Sequence, residues 1–313
     1  MSMNVSVATL TATGPVLTDG AWGTQLQAHG LPPGEVGDVW NVVYPERVEA
    51  VARAYVDAGS QIILTNTFRA NRIALERSAE RDRVVDINRA GVEISRRAAQ
   101  GRALVFASIG PSGKLLMRRD ITESALAAAF AEQAHALAEA GADALVVETM
   151  SDVVEARIAV EAAAATGLPV VACMVFDAGK AKDRTMMGVS AQQAAVDLTR
   201  AGAAIVGANC GLGIEQVVPI CAALAGATDR PIWIKPNAGI PELIAGEIVY
   251  RMTPEAFAGY VPQLIAAGAR FIGGCCGTTP AFIAALRSQL RACAGGTSTD
   301  GRPKRRLLET ERR

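Results

Sequence analysis

Short apolar runs alternate with alanine-rich helical patterns along this 313-residue chain, and the alternation limits the fold more than any other feature. The runs predict strands at residues 16–19, 62–67, 104–109, 144–148, 170–176, 204–209, 232–235 and 271–274. The patterns predict helices at residues 45–58, 83–99, 124–140, 153–166, 191–201, 215–225, 254–267 and 280–292. Eight parallel strands that are each followed by a helix close into a barrel. The sequence therefore predicts an α/β protein with a single (β/α)8 TIM barrel over residues 1–293.

Glycine marks several of the predicted helix ends. It follows an alanine at Gly59, Gly141, Gly202 and Gly268, each time just before a predicted strand. Glycine adopts the left-handed conformation that ends a helix, so these positions support the predicted boundaries. Residues 294–313 lack the pattern and are predicted to form a polar, basic C-terminal tail on the surface.

The charge balance narrows the kinds of partner. Lys plus Arg equals Asp plus Glu, at 31 each, and hydrophobic residues make up 50% of the chain. Nucleic acids and membrane surfaces attract clustered positive charge, so we expect neither as a partner. No apolar run approaches the ~18 residues of a membrane span, and the N-terminus lacks the regions of a signal peptide. The sequence thus predicts a cytoplasmic protein with reduced cysteines.

Two adjacent cysteines, Cys275 and Cys276, stand among glycines where the last predicted strand ends. A disulfide between neighbours is strained, because consecutive Cα atoms lie about 3.8 Å apart and disulfides usually need roughly 4.4–6.8 Å. A soft divalent metal such as zinc is the natural target for two converging thiols. Cys210 also follows an apolar run among glycines and is the best third ligand. Three ligands from distant strand ends and an open fourth position are typical of catalytic zinc.

The remaining cysteines have a simpler interpretation. Cys173 lies within an apolar strand, and Cys221 and Cys293 lie in helical patterns. Free cysteine in such places behaves as a small buried apolar residue, so we expect none of the three to bind metal.

Polar residues follow most of the predicted strands, at the end of the barrel where active sites form. Predicted strands one and four end in Asp19 and Glu148, and both are candidates for holding a cationic amino group of a substrate. A second possibility for Asp19 is that its side chain caps the following loop. The candidate substrate-binding residues also include Asn66, Ser108 and Asn209, which stand at or near other strand ends.

The chain has 2 histidines, and neither stands at a strand end, so a histidine base is missing. A zinc ion with three thiolate ligands can bind a substrate thiol and remove its proton by coordination alone. The main chemical alternative is hydrolysis by zinc-bound hydroxide, although hydrolytic zinc is more often held by His and carboxylate ligands.

Six segments together resemble the homocysteine S-methyltransferase family, in chain order from about Val16 to Leu290. They are Asp19-Gly20-Ala21-Trp22-Gly23-Thr24, Thr65-Asn66-Thr67-Phe68, Ser108-Ile109-Gly110-Pro111, Val147-Glu148-Thr149, Gly207-Ala208-Asn209-Cys210 and Gly273-Gly274-Cys275-Cys276-Gly277-Thr278-Thr279-Pro280. The resemblance implies a (β/α)8 barrel with zinc held by Cys210, Cys275 and Cys276, and methionine as product. It also implies homocysteine as the zinc-bound thiol, with its amino group held by Asp19 and Glu148 and its carboxylate near Ser108.

The methyl donor has two candidates. Segments 66–72, 112–116 and 235–239 look most like the homocysteine module of cobalamin-dependent methionine synthase, whose folate, cobalamin and activation modules do not fit in this length. A separate methyl-corrinoid protein is therefore one candidate. The other is a small methylsulfonium or betaine bound by aromatic faces, for which Trp22, Trp40, Tyr44 and Phe68 are available. The betaine-using branch has a tyrosine where this chain has Thr149, which weighs against betaine.

Three other functions remain as alternatives. The barrel could activate a different thiol within a corrinoid methyltransferase system. A barrel for phosphorylated substrates would place a glycine-rich phosphate site after strands seven and eight, where this chain has its cysteines. A non-catalytic zinc site would need a fourth Cys or His ligand, and no strand end supplies one.

Overall fold

The structure, a computed structural model, describes residues 7–244 and 247–295, in which strands and helices alternate. The strands are β1 (Val16–Leu17), β2 (Ile62–Leu64), β3 (Leu104–Ile109), β4 (Ala144–Met150), β5 (Val170–Met174), β6 (Ile205–Cys210), β7 (Ile232–Pro236), β8 (Glu242–Ile244), β9 (Glu247–Val249) and β10 (Ala269–Ile272). The helices are α1 (Val7–Thr11), α2 (Gly23–Ala28), α3 (Trp40–Val43), α4 (Pro45–Ala58), α5 (Val84–Ala99), α6 (Glu123–Glu139), α7 (Val153–Ala164), α8 (Ala191–Arg200), α9 (Ile214–Ala225), α10 (Pro254–Ala258), α11 (Val261–Ala266) and α12 (Pro280–Gly295). Short 3-10 helices cover Gly37–Val39, Arg81–Arg83 and Leu116–Arg118.

Eight of these strands form one parallel sheet in the order β1-β10-β7-β6-β5-β4-β3-β2. The two ends of that order meet, because the backbone N–H of Gln61 donates to the carbonyl of Leu17 at 2.8 Å. The side-chain oxygen of Gln61 accepts from the N–H of Leu17 at 2.9 Å. The sheet therefore closes, and the predicted (β/α)8 barrel is confirmed.

Two details differ from the predicted elements. β8 and β9 form an antiparallel hairpin between β7 and α10, which the sequence analysis did not identify. The helix predicted at 254–267 is divided into α10 and α11, since Pro262 has no N–H to continue the first helix. The left-handed φ of 109° at Gly59 and 103° at Gly268 confirms the expected helix stops. Residues 296–313, most of the predicted tail, lie outside the described residues, and α12 extends to Gly295.

The barrel interior is divided into an apolar layer and a polar layer. Phe106, Trp233 and Phe271 fill the apolar layer, with ring centroids 6.0 Å apart for the first pair and 5.3 Å for the second. Cys173 belongs to this layer and is buried, as the sequence predicted. Side chains two residues apart on a strand point the same way, so Lys235 lies above Trp233 on β7. The polar layer at the carboxyl ends of the strands forms the floor of the barrel mouth.

Candidate active site

The three predicted ligand cysteines come together at the barrel mouth. Cys210 ends β6, and Cys275 and Cys276 follow β10. Their sulfur atoms all lie within 4.8 Å of one another, and no other such group of three metal-ligating side chains occurs among the described residues. Strands β6 and β10 both neighbour β7 in the sheet, which explains how cysteines distant in sequence converge.

The backbone turns sharply at Cys210 to direct its thiol inward. Its φ is 62°, in the left-handed region that a residue with a side chain rarely adopts, and Gly211 follows at 76°. The side-chain amide of Asn237 donates to the carbonyl of Gly211 at 2.6 Å, which ties this turn to the segment after β7. The strained conformation is thus fixed by a neighbouring loop, as is common at functional sites.

Cys275 and Cys276 are fixed through their backbones. The N–H of Cys275 donates to the carbonyl of Pro236 at 2.8 Å, and the carbonyl of Cys276 accepts from the N–H of Ala238 at 2.9 Å. The hydroxyl of Thr278 donates to the carbonyl of Cys275 at 2.7 Å. The backbones of both cysteines are therefore held to the end of β7.

The cluster has the properties of a soft metal site. Hydrogen bonds from Cys275 and then Cys276 lower the pKa of Cys210 to about 3, whereas the pKa of Cys276 rises to about 12 chiefly through its hydrogen bond with Cys210. The three thiols are therefore in hydrogen-bond contact with one another. The Asn237 side chain contacts Cys210, and its Oδ1 is buried without a hydrogen-bond donor. Three clustered sulfurs suit a thiophilic cation such as zinc.

A cavity of about 340 Å³ connects the cysteine cluster with the mouth. The cavity is lined by the three cysteines and by polar residues of the strand ends, which include Thr65, Asn66, Ser108, Glu148, Thr149 and Lys235. Its outer part includes the exposed residues Glu35 and Arg69. A small thiol that enters this cavity therefore meets sulfur ligands and charged groups within one enclosed space.

Glu148 is the predicted carboxylate that faces this cavity. It is 7% exposed. Its Oε1 accepts from the hydroxyl of Ser108 at 2.5 Å, and its Oε2 accepts from the Nδ2 of Asn209 at 3.3 Å. Burial raises the pKa of Glu148, although Lys235 and the hydrogen bond from Ser108 oppose the rise. The predicted residues Ser108 and Asn209 thus orient this carboxylate.

Asp19 is placed differently from the sequence expectation. It is fully buried and is not among the residues that line the cavity. Its Oδ2 accepts from the Nε1 of Trp22 at 2.8 Å and from the N–H of Leu64 at 2.7 Å, while Oδ1 is paired with the ammonium of Lys235. Trp22 and Lys235 line the cavity and cover Asp19, so a direct contact with a substrate amino group requires one of these side chains to move.

Lys235 is the charged residue that the sequence analysis missed as part of the site. It is 2% exposed and lines the cavity. Burial by itself lowers the pKa of Lys235, but Asp19 and Glu148 outweigh that effect and raise it, so the ammonium stays charged. The sequence signal for this position is that Lys235 comes two residues after Trp233 on the same strand, so both side chains face the barrel interior.

The predicted aromatic residues do not all lie at the cavity. Phe68 lines it together with Trp22, whereas Trp40 and Tyr44 line a separate groove of about 820 Å³. The guanidinium of Arg47 lies 5.1 Å from the ring centroid of Trp40 and 4.8 Å from that of Tyr44. This aromatic pair thus already holds a cation from the chain itself, away from the thiols.

Asn66 supports the site from one side. Its Nδ2 donates to the carbonyl of Gly37 at 2.8 Å and to the Oδ1 of Asn41 at 3.0 Å. These contacts link the loop after β2 to the Gly37–Val39 helix and to α3. Asn66 also lines the cavity, and its role in binding a substrate stays a prediction.

Comparison with known proteins identifies the family of the chain. The profile of the family described as homocysteine S-methyltransferase matches residues 16–290. The chain belongs to this family. The matched range includes the three clustered cysteines, Glu148 and Lys235.

Two curated relatives are methionine synthases from mycobacteria. The protein from Mycobacterium tuberculosis (strain ATCC 25618 / H37Rv) is 30% identical over 311 residues, and the one from Mycobacterium leprae (strain TN) is 29% identical over 305 residues. The alignments cover 92% and 90% of this chain but 25% of each relative. The chain therefore spans about a quarter of the length of the curated relatives it matches.

Among solved structures, the metallated form of the homocysteine methyltransferase MmuM from Escherichia coli is 27% identical with a TM-score of 0.73. Its oxidized form is 28% identical with a TM-score of 0.72. Both matches cover 88% of this chain and 96% of the other. None of the helices in the described part of the chain is long and apolar enough to cross a membrane.

Proposed function

We propose that this barrel transfers a methyl group to the thiol of homocysteine and releases methionine, with zinc held by Cys210, Cys275 and Cys276. The observation that carries the proposal is the position of these three sulfurs, within 4.8 Å of one another, in the wall of a cavity that also contains Glu148. Membership of the homocysteine S-methyltransferase family and the likeness to a metallated MmuM support it.

The protein residues have separate tasks in this proposal. When bound, zinc supplies coordination that lowers the pKa of a thiol and keeps the thiolate nucleophilic at neutral pH. Glu148 accepts a hydrogen bond from the amino group of homocysteine. Ser108 and Asn209 donate hydrogen bonds that hold the carboxylate of Glu148 in position. Asp19 fixes the ammonium of Lys235 and the indole of Trp22, which both line the cavity. A bound zinc would lower the pKa of the thiol enough for its proton to pass to solvent, so no histidine is needed as a base.

A small onium donor is supported by the outer lining of the cavity. Trp22 and Phe68 present aromatic rings there, and Glu35 and Asp38 present carboxyl groups. Burial raises the pKa of Asp38 to about 6, so this group is mostly ionised at neutral pH. A methylsulfonium or quaternary ammonium cation gains from both kinds of group, with about 0.5–2 kcal/mol for each aromatic face. These residues replace Trp40 and Tyr44 as the proposed donor contacts.

A methyl-corrinoid carried by a partner protein is the second candidate donor, and a different observation favours it. Exposed large apolar side chains occur, among the described residues, in the segments that lead from a barrel strand to the next barrel helix or in the first turn of that helix. These segments lie on the mouth side of the barrel. The exposed side chains are Val43, Tyr44, Val85, Met117, Met186, Met187, Ile240, Leu243, Ile244 and Ile248. Exposed apolar side chains gathered on one face are typical of a protein interface.

The test is a donor screen with zinc-loaded protein. Homocysteine is combined in turn with S-methylmethionine, S-adenosylmethionine, glycine betaine and free methylcobalamin, and methionine is quantified by mass spectrometry. Methionine formation with an onium compound, or with methylcobalamin alone, assigns the donor class. Cys173→Ala is the matched control for Cys275→Ala, because both remove one thiol and Cys173 lies in the apolar layer. A Cys275→Ala variant with full zinc content and unchanged turnover would contradict the proposal.

A further inference from the structure

The ligand turn, residues 274–278, carries Cys275 and Cys276 and is fastened to the end of β1 as well as to β7. The hydroxyl of Thr278 donates to the carbonyl of Cys275 at 2.7 Å. The same hydroxyl accepts from the backbone N–H of Ala21 at 3.1 Å. One threonine side chain therefore joins the ligand turn to the segment that follows β1.

Tyr55 brings a second hydroxyl to this junction from α4, which belongs to the outer ring of helices. The hydroxyl donates to the carbonyl of Ala21 at 2.6 Å, and the carbonyl of Thr278 lies 3.3 Å from the same oxygen. The side chain is fully buried. A buried hydroxyl costs free energy unless it is hydrogen-bonded, and the two carbonyls supply the partners. The hydroxyl of Tyr55 thus contacts the segment after β1 and the ligand turn together.

Glycines in both segments allow the two hydroxyls to approach so closely. A Cβ atom added to Gly20 would lie 2.7 Å from a ring carbon of Tyr55 and 2.9 Å from the Oγ1 of Thr278, distances that real Cβ atoms essentially never show. A Cβ atom added to Gly274 would lie 2.5 Å from the same threonine oxygen. Because a closely packed interior transmits displacement, a shift of either hydroxyl moves the ligand turn.

We propose that Tyr55 is a positioning residue for the metal site, because its hydroxyl links the ligand turn to the segment after β1 and so fixes the direction of the thiols of Cys275 and Cys276. The inference rests on the proposed zinc site and adds a residue that touches neither the metal nor the substrate. Groups outside the ligand set tune metal affinity by orienting the ligands, since a ligand that must rearrange on binding costs free energy. The segment after β1 also contains Trp22, which lines the cavity, so the hydroxyl joins the metal ligands to the cavity wall.

The competing role for the Tyr55 hydroxyl is general stability of the fold. In that case its removal destabilises the protein, while the folded protein binds zinc as before. Zinc affinity of the folded protein therefore separates the two roles. Tyr55→Phe removes the oxygen and keeps the ring. Tyr260→Phe is the matched control, since it removes a tyrosine hydroxyl that is bonded to Glu215 at 3.2 Å instead.

The experiment titrates the zinc-loaded full chain with a chromophoric chelator of known zinc affinity. In Tyr55→Phe, zinc should bind roughly 10- to 100-fold more weakly, because a contact that orients the ligands is lost. Tyr260→Phe should retain the native affinity. A cobalt-loaded sample gives a second readout, since the sulfur-to-cobalt absorption depends on the arrangement of the thiolates and should shift in Tyr55→Phe alone. Far-UV circular dichroism verifies that each variant is folded.

Thr278 provides a second pair of variants on the same path. Thr278→Val removes the hydroxyl between Ala21 and Cys275 and should weaken zinc binding, whereas Thr278→Ser retains the hydroxyl and should restore the native affinity. Tyr55→Phe combined with Thr278→Val should weaken zinc binding by less than the product of the two single effects, because both changes act on one junction.

Native zinc affinity and an unchanged cobalt spectrum in Tyr55→Phe would overturn the inference and leave the proposed function intact. If Tyr55→Phe does not fold, the Thr278 pair decides. Weaker zinc binding by Thr278→Val than by Thr278→Ser then supports the junction, and equal binding by the two overturns it. If the native protein binds no zinc, the proposed function itself fails and the inference falls with it.

Discussion

The carboxylate of Glu148 offers the sharpest test of how the cavity recognises an amino group. Glu148→Gln keeps the shape of the side chain and removes its charge. The oxygen of the new amide can face Asn209, and its NH2 group can face Ser108, whose hydroxyl is able to accept instead of donate. The geometry around residue 148 is thus preserved, with a cost to folding of about 1 kcal/mol for the altered hydrogen bonds.

The cost to binding is larger than the cost to folding. An ammonium in this enclosed cavity loses its charged partner, and truncating one side of a buried charge pair typically costs about 2–4 kcal/mol. The affinity for homocysteine should therefore fall roughly 30- to 700-fold. The affinity for 4-mercaptobutanoate, which has no amino group, should change little. Both affinities are measured by calorimetry on zinc-loaded protein.

Glu155→Gln is the matched control for this prediction. Glu155 is also a buried glutamate whose pKa is raised by burial, but it receives the N–H of Ser112 at 2.7 Å and does not line the thiol cavity. Its replacement should leave both thiol affinities unchanged. If Glu148→Gln weakens the two thiols equally, the carboxylate acts through the structure of the cavity and the assignment of the amino group is refuted.

Three further predictions test other parts of the site. Cys275→Ala should lower the zinc content from one ion per chain to none, measured by atomic absorption, whereas Cys173→Ala should retain the metal. Phe68→Ala should raise the KM of an onium donor about 2- to 30-fold, with little change in the KM of homocysteine. Trp40→Ala should instead lower the free energy of unfolding in urea by about 3–5 kcal/mol, because Trp40 is 3% exposed. Burial raises the pKa of Asp38 from 3.8 to about 6, so the folded protein binds this proton more tightly than the unfolded chain does. The stabilisation that this proton gives is complete below about pH 4 and is lost as the pH rises through about 6. Asp38→Asn should remove this loss, about 3 kcal/mol in urea unfolding between pH 4 and pH 7, and a parallel pH dependence in both proteins would contradict it.

The sequence was informative where side-chain direction follows from a strand. Apolar runs predicted the eight strands, and glycines predicted several helix ends. The convergence of Cys210 with Cys275 follows because the strand ends of a parallel sheet share one edge. The position of Trp40 could not be predicted in this way, because it lies in the long segment between β1 and α4, whose path no periodicity determines. The hairpin of β8 and β9 was missed for a related reason. Its exposed Leu243 and Ile248 give an apolar pattern without a buried face.

The charges of the site were the harder part, since a sequence gives the sign of a residue and not its partner. Asp19 and Glu148 are both the last residues of predicted strands and were interpreted as equivalent. In the structure, neighbouring strands and loops satisfy the carboxylate of Asp19 through Leu64, Trp22 and Lys235, whereas Glu148 receives its donors, within the described residues, from Ser108 and Asn209. Two similar carboxylates thus differ in the donors that surround them and in their access to the cavity.

The apolar layer beneath the site strengthens the effect that its charges can have on a ligand. Phe106, Trp233 and Phe271 close the barrel below Lys235, so water cannot reach the polar layer from that side. Charges with little access to water interact more strongly with one another and with a ligand than charges in solution do. A ligand cation that reaches Glu148 would therefore gain more there than in solution, whereas a ligand without one would displace water from the carboxylate with no ionic contact in return. The packing of the barrel interior would therefore contribute to the binding of a cationic group at the mouth.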